Sequence, residues 1–315
     1  MNIAQNWKDY TLIDAGGGEK LERWGNVTVI RPDPQAFWPR NKNTDWTKAD
    51  MYYHRSKAGG GHWEILRTKE KNVPEAWTIG YGNLKFHIRP TGFKHMGLFP
   101  EQAVNWEWVQ GKLTRETEPP HPPRVLNLFA YTGGATLACL NAGASVTHID
   151  AAKGMNRWAK DNIALSGLSH TPNRIMEDDA LKFVLREGRR GSFYDGIIMD
   201  PPVFGRGPGG EMWKLEERLY ELVEACTKIL RPDVGRGDGS LSCAVRKTAE
   251  PSPVPKPGRF ILINAYTAGF SPTVYGNLLS IATSKLGGSV SVGEIGLPAK
   301  SGVTLPCGMY ARWEA

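Results

Sequence analysis

The chain predicts an α/β fold: a doubly wound, mainly parallel sheet of seven strands ending in an antiparallel C-terminal hairpin, preceded by a small β-rich N-terminal domain. Three observations predict it. From Arg124 onward, short apolar runs alternate with amphipathic stretches at helical spacing, a pattern that specifies right-handed crossovers. The run Val125-Leu126-Asn127-Leu128-Phe129 reaches Gly133-Gly134 and then a helical pattern, so a strand feeds a helix through a glycine turn where backbone can approach a ligand closely. Residues 1–108 instead hold eight of the eleven tryptophans, among short alternating runs broken by glycine turns.

In chain order, residues 1–90 read as the β-rich domain. Alternating runs such as Asn26-Val27-Thr28-Val29-Ile30 and Leu84-Lys85-Phe86-His87-Ile88 are separated by Gly16-Gly17-Gly18, Gly59-Gly60-Gly61 and Tyr81-Gly82-Asn83. Residues 91–120 are a connector with a short helix starting near Pro100. Residues 121–315 form the α/β domain. Its strands are expected near 124–130, 144–150, 173–177, 194–200 and 259–266, and its helices near 134–142, 153–166, 178–188, 212–230 and 274–286. Runs 289–297 and 303–314 form the closing hairpin. Residues 233–258, rich in Gly, Pro, Ser, Lys and Arg, break the alternation just before the fifth strand. Such a segment is either disordered or overhangs a functional site.

Composition sets bounds. Hydrophobic residues make up 40% of 315, ample for a buried core. No run of ~18 apolar residues suggests a membrane span. The first residues, Met1 to Lys8, show no secretion signal. Cys139, Cys226, Cys243 and Cys307 lack paired spacing, so neither a disulfide framework nor a metal site is expected; a cytoplasmic location is. The net charge of +7 favours polyanionic partners such as RNA. The oligomeric state is left open.

In an open α/β sheet, ligands bind beyond the carboxyl ends of the strands. Phe129, Ala130, Tyr131, Thr132 and Gly133 occupy the first such loop, with Asn127 just inside the strand. Asp150 closes the next strand, 150 − 133 = 17 residues past Gly133, where an acid can accept hydrogen bonds from ribose hydroxyls, with Ala151 beside it. Asp179 follows the third strand, where it can meet an adenine amino group. Asp200-Pro201-Pro202-Val203-Phe204 follows the fourth. Together these residues point to S-adenosylmethionine (SAM) as cofactor. A dinucleotide is disfavoured because the turn offers only Gly133-Gly134 instead of Gly-x-Gly-x-x-Gly. The alternative is that the acids are helix caps.

Asn127-Leu128-Phe129-Ala130-Tyr131-Thr132-Gly133, Asp150-Ala151-Ala152-Lys153 and Asp200-Pro201-Pro202-Val203-Phe204-Gly205-Arg206-Gly207 resemble the class I SAM-dependent RNA methyltransferases akin to the bacterial 23S rRNA cytosine-C5 enzymes, whose catalytic domain is Rossmann-like. The segment Phe93 to Gln102 is similar to the one preceding that domain in the family, which implies that Phe99 and Gln102 help hold SAM. The resemblance covers roughly residues 90–232 and 258–315, and implies methylation of a base in RNA, rRNA first.

One departure bears on the chemistry. The cytosine-C5 relatives carry a nucleophilic cysteine just after the fifth strand, where this chain has Tyr266. Methylation at carbon 5 of a pyrimidine needs a thiolate to add at carbon 6; a nitrogen target needs no covalent step. The Asp200 carboxylate and Pro201 carbonyl can accept hydrogen bonds from an amino group, with Pro202 stiffening the loop and Phe204 stacking on a planar base. That favours nitrogen over carbon. Arg186, Arg189, Arg190, Arg206, Arg236, Arg246, Lys247 and Lys256 could contact phosphate or simply be solvated, and the N-terminal tryptophans could stack on bases or fill a β core. The runner-up readings are an N-methyltransferase of a small heterocyclic or protein amine, and a non-catalytic module on the same fold.

Overall fold

In a computed structural model describing residues 1–57, 59–66, 73–114, 121–232, 258–266 and 269–315, the chain starts with β1 (Asn2–Ile3). A five-stranded sheet follows: β2 (Tyr10–Gly16), β3 (Glu19–Trp24), β4 (Val27–Pro32), β5 (Met51–Arg55) and β6 (Gly61–Ile65). Gly17 and Gly18 join β2 to β3 with φ of 65° and 79°, the left-handed pair that two-residue hairpins require and glycine adopts without a Cβ clash. A separate hairpin, β7 (Trp77–Tyr81) and β8 (Leu84–Ile88), precedes a short 3₁₀ turn at Pro100–Gln102 and α1 (Ala103–Leu113). All eight N-terminal tryptophans pack into hydrophobic clusters. They fill a core, and the stacking-platform alternative is set aside.

The second part alternates as expected: β9 (Arg124–Leu128), α2 (Gly134–Asn141), β10 (Ser145–Asp150), α3 (Lys153–Leu165), β11 (Asn173–Glu177), α4 (Ala180–Arg189) and β12 (Gly196–Met199). A small hairpin, β13 (Phe204–Arg206) and β14 (Met212–Lys214), then leads into α5 (Leu215–Thr227), β15 (Phe260–Ala265), α6 (Pro272–Thr283), β16 (Ser289–Pro298) and β17 (Thr304–Glu314). The sheet runs β11-β10-β9-β12-β15-β17-β16, with only β17 reversed. Every residue of β12 and β15 is buried, as central parallel strands covered on both faces must be. The strand order reverses between β9 and β12, the place where such sheets open a ligand crevice.

Several details differ from expectation. The sheet has an eighth strand, because β1 pairs in parallel with β16; two residues are too short to show a period in sequence. Residues 212–214 are strand, so the helix expected over 212–230 is shorter. The first parallel strand ends at Leu128 because Phe129 turns to φ 54°. The 233–258 insert lies, apart from Gly258, outside the described residues, and with it Arg236, Cys243, Arg246, Lys247 and Lys256.

The N-terminal sheet shares its core with α1, α2 and the near face of the main sheet, whereas α4, α5 and α6 build a second core on the far face. The β7–β8 hairpin docks on α3 through side chains four residues apart on one helical face. Ser166 Oγ serves the N–H and carbonyl of Lys85, Asn162 Oδ1 accepts from His87 N (2.8 Å), and Trp158 Nε1 donates to the His87 carbonyl (3.1 Å). The edge of β8 is thereby satisfied by a helix instead of another strand.

Candidate active site

The loop leaving β9 has left-handed backbone at Phe129 (54°), Tyr131 (52°) and Gly133 (88°). Two of these are not glycine, a costly conformation that persists only where neighbours over-determine it. Three contacts do so. Asp150 Oδ2 accepts from Tyr131 N (2.8 Å), Asn162 Nδ2 donates to the Thr132 carbonyl (2.9 Å), and Thr132 Oγ1 donates to the Gly97 carbonyl (2.6 Å). Asp150 Oδ1 also accepts from Ala152 N (2.8 Å), so this carboxylate ties the first strand-end loop to the second. Burial raises the Asp150 carboxyl above its ordinary pKa, and those two backbone N–H groups oppose the rise. Beneath the loop, Asn127 donates to Thr136 Oγ1 (2.9 Å), which meets His148 Nδ1 (2.9 Å).

Above the loop lies a cavity of about 440 Å³, the size of a small-ligand pocket. Phe99, Gln102, Phe129, Tyr131, Asp150, Ala151, Asp200, Pro201, Pro202 and Tyr266 line it, together with residues the sequence reading gave no site role: His95, Glu101, Ala152, Val203 and Asn264. A narrower recess continues from it beneath the loop, reaching Asn127, Ala130 and Thr132. A third recess, sharing Asp150, Ala151 and Pro202, is bounded by Asp179, Gly207 and Trp213. Trp213 is held by its Nε1 donating to the Pro202 carbonyl (2.7 Å) and packs against the Phe129 ring at 4.8 Å. The three recesses share lining residues and form one trough.

Some expected residues sit differently. Gly133 lines none of these recesses; its Cα faces Ala159 and Leu137, and it serves as the left-handed cap of α2. Asp179 caps α4 by accepting from Lys182 N (2.9 Å), so the helix-cap alternative describes one of its oxygens, while the residue still borders the third recess. Phe204, expected to stack on a base, opens β13 and is 54% exposed; Val203 instead joins Asp200, Pro201 and Pro202 on the cavity wall. Of the basic cluster, Arg186 is paired with Asp178 and Arg190 with Glu187, which leaves Arg189 and Arg206 exposed.

Asp200 stands at the junction of the wide and narrow recesses. Burial pushes its carboxyl up to about 6, and a hydrogen bond from Asn264 partly offsets this. A buried relay orients that asparagine: Arg312 Nη2 donates to Asn105 Oδ1 (2.8 Å), and Asn105 Nδ2 donates to Asn264 Oδ1 (3.4 Å) and Gln102 Oε1 (2.8 Å). Each amide then has its acceptor end occupied, leaving the Asn264 amino group for Asp200. No cysteine among the described residues lines the recesses. Cys307, on β17, is 3% exposed, its thiol raised by burial and donating to the Leu305 carbonyl.

The Gly97 carbonyl that clamps the loop belongs to a residue at φ 94°, and a Cβ there would fall inside the Trp158 ring. Gly97→Ala combines an overpacked core with a strained φ, and a loss of about 2–5 kcal/mol is expected. Denaturant midpoints measure it, and an unchanged midpoint would contradict the clamp.

Residues 58–234, more than half of the chain, match the family model of S-adenosylmethionine-dependent methyltransferases. The SAM-dependent methyltransferase from Agrobacterium tumefaciens, solved by crystallography, is 35% identical, with 99% of this chain and 92% of that one covered and a TM-score of 0.85. A structure from Streptococcus mutans, 14% identical with TM-score 0.71 over 99% of this chain and 76% of its own, shares the fold. Ribosomal RNA large subunit methyltransferase K/L of Shewanella frigidimarina is 33% identical over 172 residues, 54% of this chain and 23% of that protein. Its counterpart in Pseudoalteromonas atlantica is 32% identical over 184 residues, 58% and 24% respectively. The chain therefore spans about a quarter of the length of these curated relatives. The left-handed loop, Asp150 at the next strand end and a cavity of small-ligand size fit the cofactor of that family, and the chain belongs to the S-adenosylmethionine-dependent methyltransferases.

Proposed function

We propose that the protein methylates a nitrogen of a base in RNA, with ribosomal RNA the first candidate. The observation that carries the choice of atom is Asp200 at the cavity junction, with Pro201 beside it on the wide recess and no thiol among the described lining residues. RNA as substrate is supported by the relatives that are named ribosomal RNA methyltransferases and by the net charge of +7.

Bound SAM supplies an electrophilic methyl group on a sulfonium. The loop 129–133, with Phe99 and Gln102 across from it, holds the methionine portion; Asp150 takes the ribose hydroxyls; and Asp179, beside Trp213, meets the adenine. Residues 1–90 form an N-terminal domain, joined through the connector 91–120 to the catalytic domain 121–315. Asp200 and the Pro201 carbonyl accept hydrogen bonds from the target amino group and aim its lone pair at the methyl. In-line transfer needs this alignment and the exclusion of water, each a matter of positioning.

Ionised Asp200 is the accepting form, so kcat/KM is expected to fall on the acid side of about pH 6, its slope approaching about tenfold per unit. Initial rates over roughly pH 5 to 8 measure this, and a flat profile would exclude a working carboxylate. The substrate class is tested by transfer of radiolabelled methyl groups to RNA from cells lacking the gene. Label in RNA, with binding that weakens as salt rises, is expected; label confined to small metabolites or proteins would overturn the RNA assignment.

A further inference from the structure

A further recess, open and of about 590 Å³, lies apart from the trough and shares no lining residue with it. Helix α1 separates the two. Val104, Glu107 and Trp108, three and four residues apart on one face of α1, border this recess. Asn105 and Val109, on the opposite face, border the narrow recess beneath the loop 129–133. Ile3 and Gln5 complete the wall beside Arg312, which reaches it from β17.

Arg312 is 6% exposed and makes no ion pair among the described residues. Its guanidinium is held between two rings, the central carbon 4.7 Å from the Trp108 centroid and 4.0 Å from that of Tyr310. Nη2 donates to Asn105 Oδ1 (2.8 Å) and, at 3.5 Å, to the Val104 carbonyl. Nε is wholly buried without a partner, and Nη1, also without one, is left for the recess. Glu314, the carboxylate whose field reaches Arg312, pairs with Lys112. Glu107 is exposed, and its Oε1 accepts from Asn6 and Tyr81. Burial lowers the Arg312 pKa to about 10, with Tyr310 and Glu314 opposing. A desolvated cation with a spare donor is costly until an anion meets it.

We propose that this recess is a second ligand site, in which Arg312 receives the carboxylate or phosphate oxyanion of a small molecule. The two rings fix the plane of the guanidinium, so little side-chain freedom remains to be lost on binding. Its low-dielectric surroundings strengthen a charge-assisted hydrogen bond from Nη1. The recess is far larger than one oxyanion, so the ligand has an organic part, for which Ile3, Val104 and the half-buried Trp108 supply apolar wall. Gln5 and Glu107 add acceptors for hydroxyl or amino groups on that part. Nothing in this assignment depends on which substrate the trough methylates.

Calorimetric titration of the full chain with inorganic phosphate and, separately, with acetate tests the site, each with and without saturating SAM. Saturable binding of either anion, undiminished by SAM, is expected, and the tighter of the two identifies the headgroup. Arg312→Met should weaken it at least about tenfold. Because Arg312 also feeds the relay to Asp200, that variant is judged by anion binding and by its circular dichroism, not by turnover. Gln5→Glu and Gln5→Lys change only an exposed side chain on the wall and decide the matter should Arg312→Met misfold. The first should weaken and the second tighten binding by about 2–5-fold. No saturable binding, displacement by SAM, wild-type affinity in folded Arg312→Met, or equal affinity in the two Gln5 variants would overturn the second site.

Discussion

Asp200→Ala should reduce methyl transfer by about 10²–10⁴-fold while SAM still binds, since one positioned proton acceptor contributes that much to a reaction governed by alignment. The side chain removed is the end of the Arg312–Asn105–Asn264 relay, and the relay itself stays in place. Among the described residues no backbone group depends on the carboxylate, so the fold should survive; removing a desolvated carboxylate even relieves a cost at neutral pH. Its folded pKa is raised to about 6, so its contribution to stability is greatest below the unfolded carboxylate range and is lost as pH rises through 6. Single-turnover rates at saturating SAM isolate the chemical step, and a rate within a few-fold of wild type would show that Asp200 does not orient the substrate.

Asp150→Ala should act on the other half of the reaction. Asp150 holds Tyr131 N and Ala152 N at once, so its loss frees the left-handed loop as well as the ribose contacts. Each charge-assisted hydrogen bond is worth about 1.5–3 kcal/mol. Two or more together imply at least about 100-fold weaker SAM binding and the loss of most of the thermal shift that a ligand bound only to the native state confers. Calorimetric titration with SAM checks this directly. Full affinity in the variant would place the ribose elsewhere.

Much of the frame could be read from the chain because it follows local rules. Central strands such as Gly196–Met199 and Phe260–Ala265 are apolar runs, the second interrupted only by Asn264, and α3 and α4 carry their apolar residues on one face. Acids at successive strand ends were visible for the same reason, since a parallel sheet brings strand ends to one edge. What sequence reading missed depends on distant contacts. Glu101 becomes a cavity residue only because the β2–β4 sheet closes behind it. Trp213 enters the trough through the β13–β14 hairpin, whose three-residue strands show no period. The same hairpin turns Phe204 outward, which a linear reading of Asp-Pro-Pro-x-Phe cannot anticipate. Gly97 lies in the connector, and the reason for its glycine is Trp158, sixty-one positions on (158 − 97 = 61), whose ring packs against it.

Mass spectrometry of nucleosides from RNA methylated in vitro, with wild-type protein and Asp200→Ala side by side, bears most directly on whether this trough methylates a base nitrogen. An N-methylated nucleoside that appears with the wild type and vanishes with the variant is the expected outcome. A pyrimidine methylated at carbon 5, or equal product from both proteins, would contradict it.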